Sequence, residues 1–222
     1  MGFFNKLFNK EKSGIERTND IPVIEPEVNE DIKSIDEDVQ IPCGICDGHY
    51  KVREGKYGIF AGCSNYPTCK STLRLPDLAL KYIQHYGLNI YHWDKECYKC
   101  RKKTTVYSYY LDYDLADLDE FFSMGGPTIG LGDLSYVDEL LSKQIPTIQL
   151  RYSNTTKSKY MANTCEHCGA LQGRNYVVDD PHEIIGELWH DHGMGKFLFQ
   201  KIEIKDIMSL AKDINRLYMQ GN

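Results

Sequence analysis

Residues 57–69 read YGIFAGCSNYPTC: an aromatic strand broken by Gly58 and Gly62, then Cys63 and Cys69 around a five-residue loop. Twenty residues upstream of Cys63 stands Cys43, which opens the half-site Cys43-Gly44-Ile45-Cys46. Sixteen residues (47–62) separate the halves, the length of a two-stranded hairpin. A C-x2-C turn aims two sulfurs at one point, and a hairpin returns the chain so that a second pair can close a tetrahedron of thiolates around zinc. The spacing therefore predicts a zinc ribbon held by Cys43, Cys46, Cys63 and Cys69. Gly44, Gly48 and Gly62 fall where tight turns or close backbone approach are needed.

The remaining cysteines repeat the pattern at longer range. Cys97-Tyr98-Lys99-Cys100 and Cys165-Glu166-His167-Cys168 are two further half-sites with 64 residues (101–164) between them. All eight cysteines thus fall into close pairs, a usage that reads as metal ligation rather than disulfides in a reducing compartment. The expectation is two zinc ions per chain and no free reactive thiol. His167, inside a knuckle already holding two cysteines, is expected to serve the turn.

Strand and helix signals fill in around these pairs. HYKVR (49–53), YGIFAG (57–62) and STLRL (71–75) read as strands, with Glu54-Gly55-Lys56 as the turn. Pro76-Asp77 opens a helical stretch that stops at Gly87. YSYYLDYDL (107–115), IPTIQLRY (145–152) and FLFQKIEI (197–204) read as strands, and GGPTIGLGD (125–133) as a loop. Pro181 to His190 reads as a helix. So does 204–219, with Ile204, Ile207, Met208, Ala211, Ile214 and Tyr218 on a packing stripe. Residues 1–12 form a short amphipathic start with Phe3, Phe4, Leu7 and Phe8 on one face. Residues 20–38 hold eight acids, one lysine and two prolines, a composition expected to stay disordered. The fold class expected is a small, β-rich α+β chain: linker 1–38, zinc ribbon plus helix 39–88, second zinc-ribbon-like module 89–181 with a long acidic insert, and a C-terminal strand and helices 182–222. With so little core per module, metal is expected to hold much of it together.

Charge is unevenly spread. The net charge of −6 comprises −5 in residues 1–38, +3 in 39–75 and −4 in 76–222. The first cysteine module is thus a basic island, and its Lys51, Arg53, Lys56, Lys70 and Arg74 are candidate phosphate contacts. Tyr57, Phe60 and Tyr66 are candidate stacking faces. For Phe60, packing around the metal is an equal alternative. Asp112 to Glu139 carries eight acids and no Lys or Arg, so the second module reads as protein-facing or solvated.

Residues 43–75 resemble the four-cysteine zinc finger found at the C-terminus of bacterial type IA DNA topoisomerases. The resemblance rests on Gly58, Phe60, Gly62, Cys63, Ser64, Tyr66, Pro67 and Cys69, and departs at Gly44 and Asp47, neither of them a ligand. It implies an accessory module that binds DNA, single strands above all, and nothing of the topoisomerase body. Trp93-x3-Cys97-x-Lys99-Cys100 with CEHCGALQG resembles bacterial zinc-ribbon proteins of unassigned activity that carry the same finger.

No stretch carries an enzyme signature. His182-Glu183 is followed by Gly186 rather than a second histidine, GGPTIGLG lacks the lysine of a phosphate loop, and His190-Asp191-His192 has no partner cluster. The chain is expected to be cytoplasmic, without a signal peptide, myristoylation pattern or membrane span, and non-catalytic. Two alternatives stay open. One is an adaptor contacting a protein through the acidic insert 112–139 or the C-terminal helix. The other is a nucleic-acid-processing enzyme with an unrecognised site, for which the acids of 112–120 are the place to look.

Overall fold

The computed structural model describes residues 40–111, 114, 127, 129–174, 177 and 193–220. The expectations for 1–38, for most of the acidic run, for Pro181–His190 and for His190-Asp191-His192 lie outside these residues.

β1 (Tyr50–Gly55) and β2 (Gly58–Cys63) form an antiparallel hairpin, in register from Tyr50 opposite Cys63 to Gly55 opposite Gly58. β3 (Thr72–Leu73) adds to the far edge of β2. The third strand is shorter than STLRL suggests because the helix takes over at Leu75. There α1 (Leu75–Tyr86) starts with Pro76 in its first turn, where the missing N–H costs nothing. It buries Leu75, Leu78, Ala79, Tyr82 and Ile83, one continuous stripe. Gly87 ends it at φ 78, ψ −167, backbone that only glycine adopts with ease, and its N–H returns to the Ile83 carbonyl at 2.8 Å.

The chain then runs directly into β4 (Leu88–Glu96), which no sequence signal separates from the cysteine pair that follows it. β4 is the centre of a second antiparallel sheet, flanked by β5 (Lys103–Ser108) and β9 (Leu198–Ile202) in the order β5-β4-β9. The strand expected over 107–115 therefore starts earlier and ends at Ser108. Tyr109 and Leu111 turn inward and are wholly buried. α2 (Ser135–Gln144), unforeseen beneath the acids and glycines before it, buries Val137, Asp138 and Leu141. β6 (Ile148–Ser153), β7 (Ser158–Thr164) and β8 (Leu171–Gln172) make a third antiparallel sheet. A 3-10 turn over Gly193–Phe197 leads into β9, and α3 (Ile207–Gln220) closes the chain.

The α+β, β-rich class holds. One core joins the first cysteine cluster to α1, the start of β4, α2 and α3. The stripe on α3 needs one correction: Met208 is 81% exposed, and Leu210, fully buried with Ile214, takes its place against the core. The first module thus shares the main core, which the metal-held expectation does not foresee. Among the described residues the apolar packing at the second cluster is with Ala170.

Candidate metal centres and nucleic-acid face

In the first cluster the loop 43–46 precedes β1, and Cys63 ends β2, so the hairpin brings the two half-sites to one point. Cys43 Sγ lies 3.8 Å from Cys69 Sγ, and Cys46 Sγ lies 3.4 Å from Cys63 Sγ. In the second, Cys97 to Cys168 and Cys100 to Cys165 are both 3.7 Å. Within each cluster the four sulfurs lie inside 4.8 Å of one another. A tetrahedron with zinc–sulfur arms of about 2.3 Å has edges of about 3.8 Å, so the sulfurs already stand where a metal would hold them. A disulfide needs about 2.05 Å, and all eight cysteines are free thiols. The two four-cysteine clusters fit two zinc ions.

Groups beside the sulfurs orient them, and the sequence gives little sign of these. The amides of Gly48 and Asn65 donate to Cys46 Sγ and Cys63 Sγ at 3.4 Å. The Asn65 side chain reaches Cys46 Sγ at 3.6 Å and Asp47 at 2.8 Å. In the second cluster the buried Gln172 amide donates to Cys97 Sγ at 3.3 Å. Such donors stabilise thiolate and fix its direction. Their only linear signal is position: Asn65 two residues after a ligand, Gln172 four after another. His167 keeps its expected structural role, donating from Nε2 to the Lys103 carbonyl at 2.8 Å and so tying the knuckle to β5.

The thiols are unequal. Burial raises Cys43, but the amides of Ile45 and Cys46 and the neighbouring Cys63 and Ser71 outweigh it and bring it down to about 6. Cys97 comes to about 6 in the same way, burial being outweighed by the amides of Cys100 and Lys99 and by Cys165 and Cys168. Burial and the adjoining cysteines push Cys63 up to about 12 despite the Asn65 amide. Cys43 in the first cluster, and Cys97 and Cys165 in the second, are shifted toward the thiolate, the form that binds a dication.

Residues paired across β1 and β2 point to the same side. One side carries Tyr50, Val52, Ala61 and Cys63 toward the core. The other carries Lys51, Arg53, Phe60 and Gly62, with Arg53 directly opposite Phe60. Phe60 therefore belongs to the outward face rather than to the metal-side core. Its ring lies along the sheet where Gly55 and Gly62 leave room. A Cβ at those positions would meet it at 3.0 and 3.4 Å. A groove of about 480 Å³ gathers Lys56, Tyr57, Phe60 and Arg74 beside this face. Tyr57, at the hairpin turn, is 95% exposed with Lys56 Nζ 5.5 Å above its ring. Tyr66 is 65% exposed on the loop between Cys63 and Cys69, and Lys70 is exposed beyond it. Arg74 differs from the other cations: its guanidinium grips Asp77 through two bonds of 2.8 and 3.0 Å at the start of α1.

Residues 40–77 match the topoisomerase DNA-binding C4 zinc finger family. The matched segment contains the whole first cluster, the sheet β1–β3 and the first residues of α1. It stops short of the second cluster. Nothing among the curated proteins or the solved structures matches the chain. Among the described residues, no helix is long and apolar enough to cross a membrane.

Proposed function

We infer that this is a zinc-dependent nucleic-acid-binding protein of the cytoplasm, accessory and non-catalytic, that takes single-stranded DNA on the outward face of β1–β3. The observation that carries the reading is the two-sidedness of that sheet. One side is sealed against the metal and the core, and the other presents Lys51, Arg53 and Phe60 together. Unpaired bases offer faces to Phe60 and Tyr57, and a stacked base contributes roughly 1–3 kcal/mol. A duplex hides those faces and would meet only the lysines and arginines. The match to a finger described as DNA-binding supports the same ligand.

The test uses the full chain. Zinc is counted per chain, and a labelled oligo-thymidine strand is titrated at two salt concentrations. Two zincs with salt-sensitive binding are expected. Lys51→Ala with Arg53→Ala should weaken it at least about tenfold and flatten the salt slope by about 1.4, at roughly 0.7 per phosphate contact on a single strand. Zinc-loaded protein that binds neither single nor double strands overturns the reading. Metal-dependent strand cleavage abolished by one carboxylate change would overturn its non-catalytic part.

The adaptor reading has one observation of its own. The outer side of α3 exposes Met208 at 81% and Met219 at 71%, flexible apolar side chains suited to a protein surface. A Met208→Lys variant that loses a protein partner while keeping DNA would place that role on α3.

A further inference from the structure

The second cysteine cluster brings together segments 97–103 and 148–174, which in linear order are separated by the acidic run 112–139. Those two segments hold eight Lys/Arg against one acid, Glu166, a net of +7 where residues 39–75 carry +3. Arg101 is paired with Glu96 and Arg174 with Asp133. Lys99, Lys102, Lys103, Arg151, Lys157 and Lys159 are exposed. The acidic insert, which makes this module read as protein-facing, hides the sum of its own ligand-bearing segments.

Beside these cations lies a cleft of about 640 Å³ lined by Tyr98, Tyr152 and Tyr160, the hydroxyl-rich turn between β6 and β7, and the Arg174–Asp133 ion pair. Tyr98 and Tyr152 are about half exposed, at 50% and 51%. Tyr160 is seated over Gly132, whose φ is 103 and whose Cβ, if present, would stand 3.1 Å from the ring. The register of β6 and β7 sets Lys159 opposite Tyr152 on one side of the hairpin and Arg151 opposite Tyr160 on the other, the side of Ser153 and Ser158 and so of the cleft. Arg151 beside Tyr160 is the cation-beside-ring pairing of Arg53 and Phe60 in the first hairpin. Both hairpins, moreover, end in a cysteine half-site followed by a two-residue strand.

We propose that this cleft is a second binding site for single-stranded nucleic acid, with bases among Tyr98 and Tyr160 and phosphates along Arg151 and Lys157. Aromatic faces and hydroxyls inside, with cations at the rim, match an uncharged planar base on an anionic backbone. A duplex would use the rim and leave the tyrosines idle. An acidic protein segment would do the same. The site stands independently of the first-module reading, since no residue is shared.

The experiment titrates zinc-loaded full-length protein with labelled oligo-thymidine and oligo-uridine strands of about 15 nucleotides, long enough to fill a single-strand site. The second-face variant is Arg151→Ala with Lys157→Ala, both exposed positions, checked for two zincs and an unchanged circular dichroism spectrum. It should bind at least about tenfold more weakly than wild type, with a salt slope lower by about 1.4 for two lost contacts. The Lys51→Ala, Arg53→Ala protein should keep residual salt-sensitive binding, and adding the second-face changes should remove it. The proposal is overturned if the second-face changes leave affinity and slope unaltered in both backgrounds. It is equally overturned if they weaken duplex binding alone. If the Lys51→Ala, Arg53→Ala protein binds as wild type while the second-face variant fails, the first-face reading falls and this one stands. If wild type binds no strand, both fall.

Discussion

Gly48 shows how narrowly a metal site constrains its neighbours. A Cβ there would stand 2.8 Å from Ser64 Oγ, 3.0 Å from Cys63 Sγ and 3.1 Å from Asn65 Cγ. Two of those groups have duties: Cys63 is a ligand, and Ser64 Oγ accepts the His49 amide at 3.1 Å. The side chain is absent because the sulfur occupies its place. Gly48→Ala should cost the first cluster about tenfold in zinc affinity, the scale of losses when the shell around ligands is disturbed, and leave the second cluster alone. Competition with a chromophoric chelator resolves the two zinc steps, and two unshifted steps would show that the glycine is dispensable. Phe60 makes a related point. Its ring is a surface feature only because Gly55 and Gly62 let it lie flat along the sheet.

At the scale of elements, α2 is anchored by a buried carboxylate. Asp138 accepts the Tyr109 hydroxyl at 2.8 Å and the Gly132 amide at 3.2 and 3.1 Å from its two oxygens. The same hydroxyl accepts the Leu134 amide at 3.0 Å, so the loop 130–134 and the helix are locked as one unit. Burial pushes Asp138 up to about 7, against the pull of the Tyr109 and Gly132 bonds and with help from Asp133 and Asp213. A carboxyl whose folded value is raised stabilises the fold fully below its unfolded value near 4 and loses that contribution as pH rises through about 7. Thermal stability should therefore fall between pH 5 and pH 7 in the wild type. In Asp138→Asn, which keeps an acceptor for Tyr109 and Gly132 but cannot ionise, the fall should largely disappear. Melting curves at the two pH values decide it, and parallel declines in both proteins would refute the assignment.

Across the whole molecule the two zinc sites are unequally supported. Cys43, Cys63 and Cys69 belong to the core that includes α1, α2 and α3, and Cys63 is 1% exposed. The second cluster is a satellite of Cys97, Cys165 and Ala170 with Cys100 against it, and Cys168 is exposed. Loss of the first site removes ligands from the wall of the main core, and loss of the second releases a hairpin from β4 and β5. Cys63→Ser should lower the melting temperature by about 10 °C or more, at roughly 2–4 °C per kcal/mol for a chain of this size. Cys168→Ser should lower it by less than about 4 °C on the same scale. It should still lose one zinc and the amide protection of β7 and β8. Equal shifts would mean that the two modules share one cooperative unit.

Close spacing makes the chemistry legible in the linear chain: four cysteine pairs, a hairpin-length gap, glycines at the turns, Pro76 and Gly87 bounding α1. These are local constraints, and a local constraint is written in neighbouring residues. The α3 stripe is legible for the same reason, apart from Met208, which periodicity alone does not distinguish from Leu210. β4 and α2 are not, because neither is set off by its own turn and cap signals: β4 flows from Gly87 into a knuckle, and α2 follows a glycine-rich acidic run. The side of the sheet on which Phe60 lies is decided by strand register, which fixes faces only once partners are paired. Linear order shows cations beside both halves of the second cysteine site, but not that Arg151 shares a side of its hairpin with Tyr160, which register decides. The sequence by itself determined the ligands and the zinc. The tertiary structure decided which charges stand together, because charges add by distance in space and not by distance along the chain.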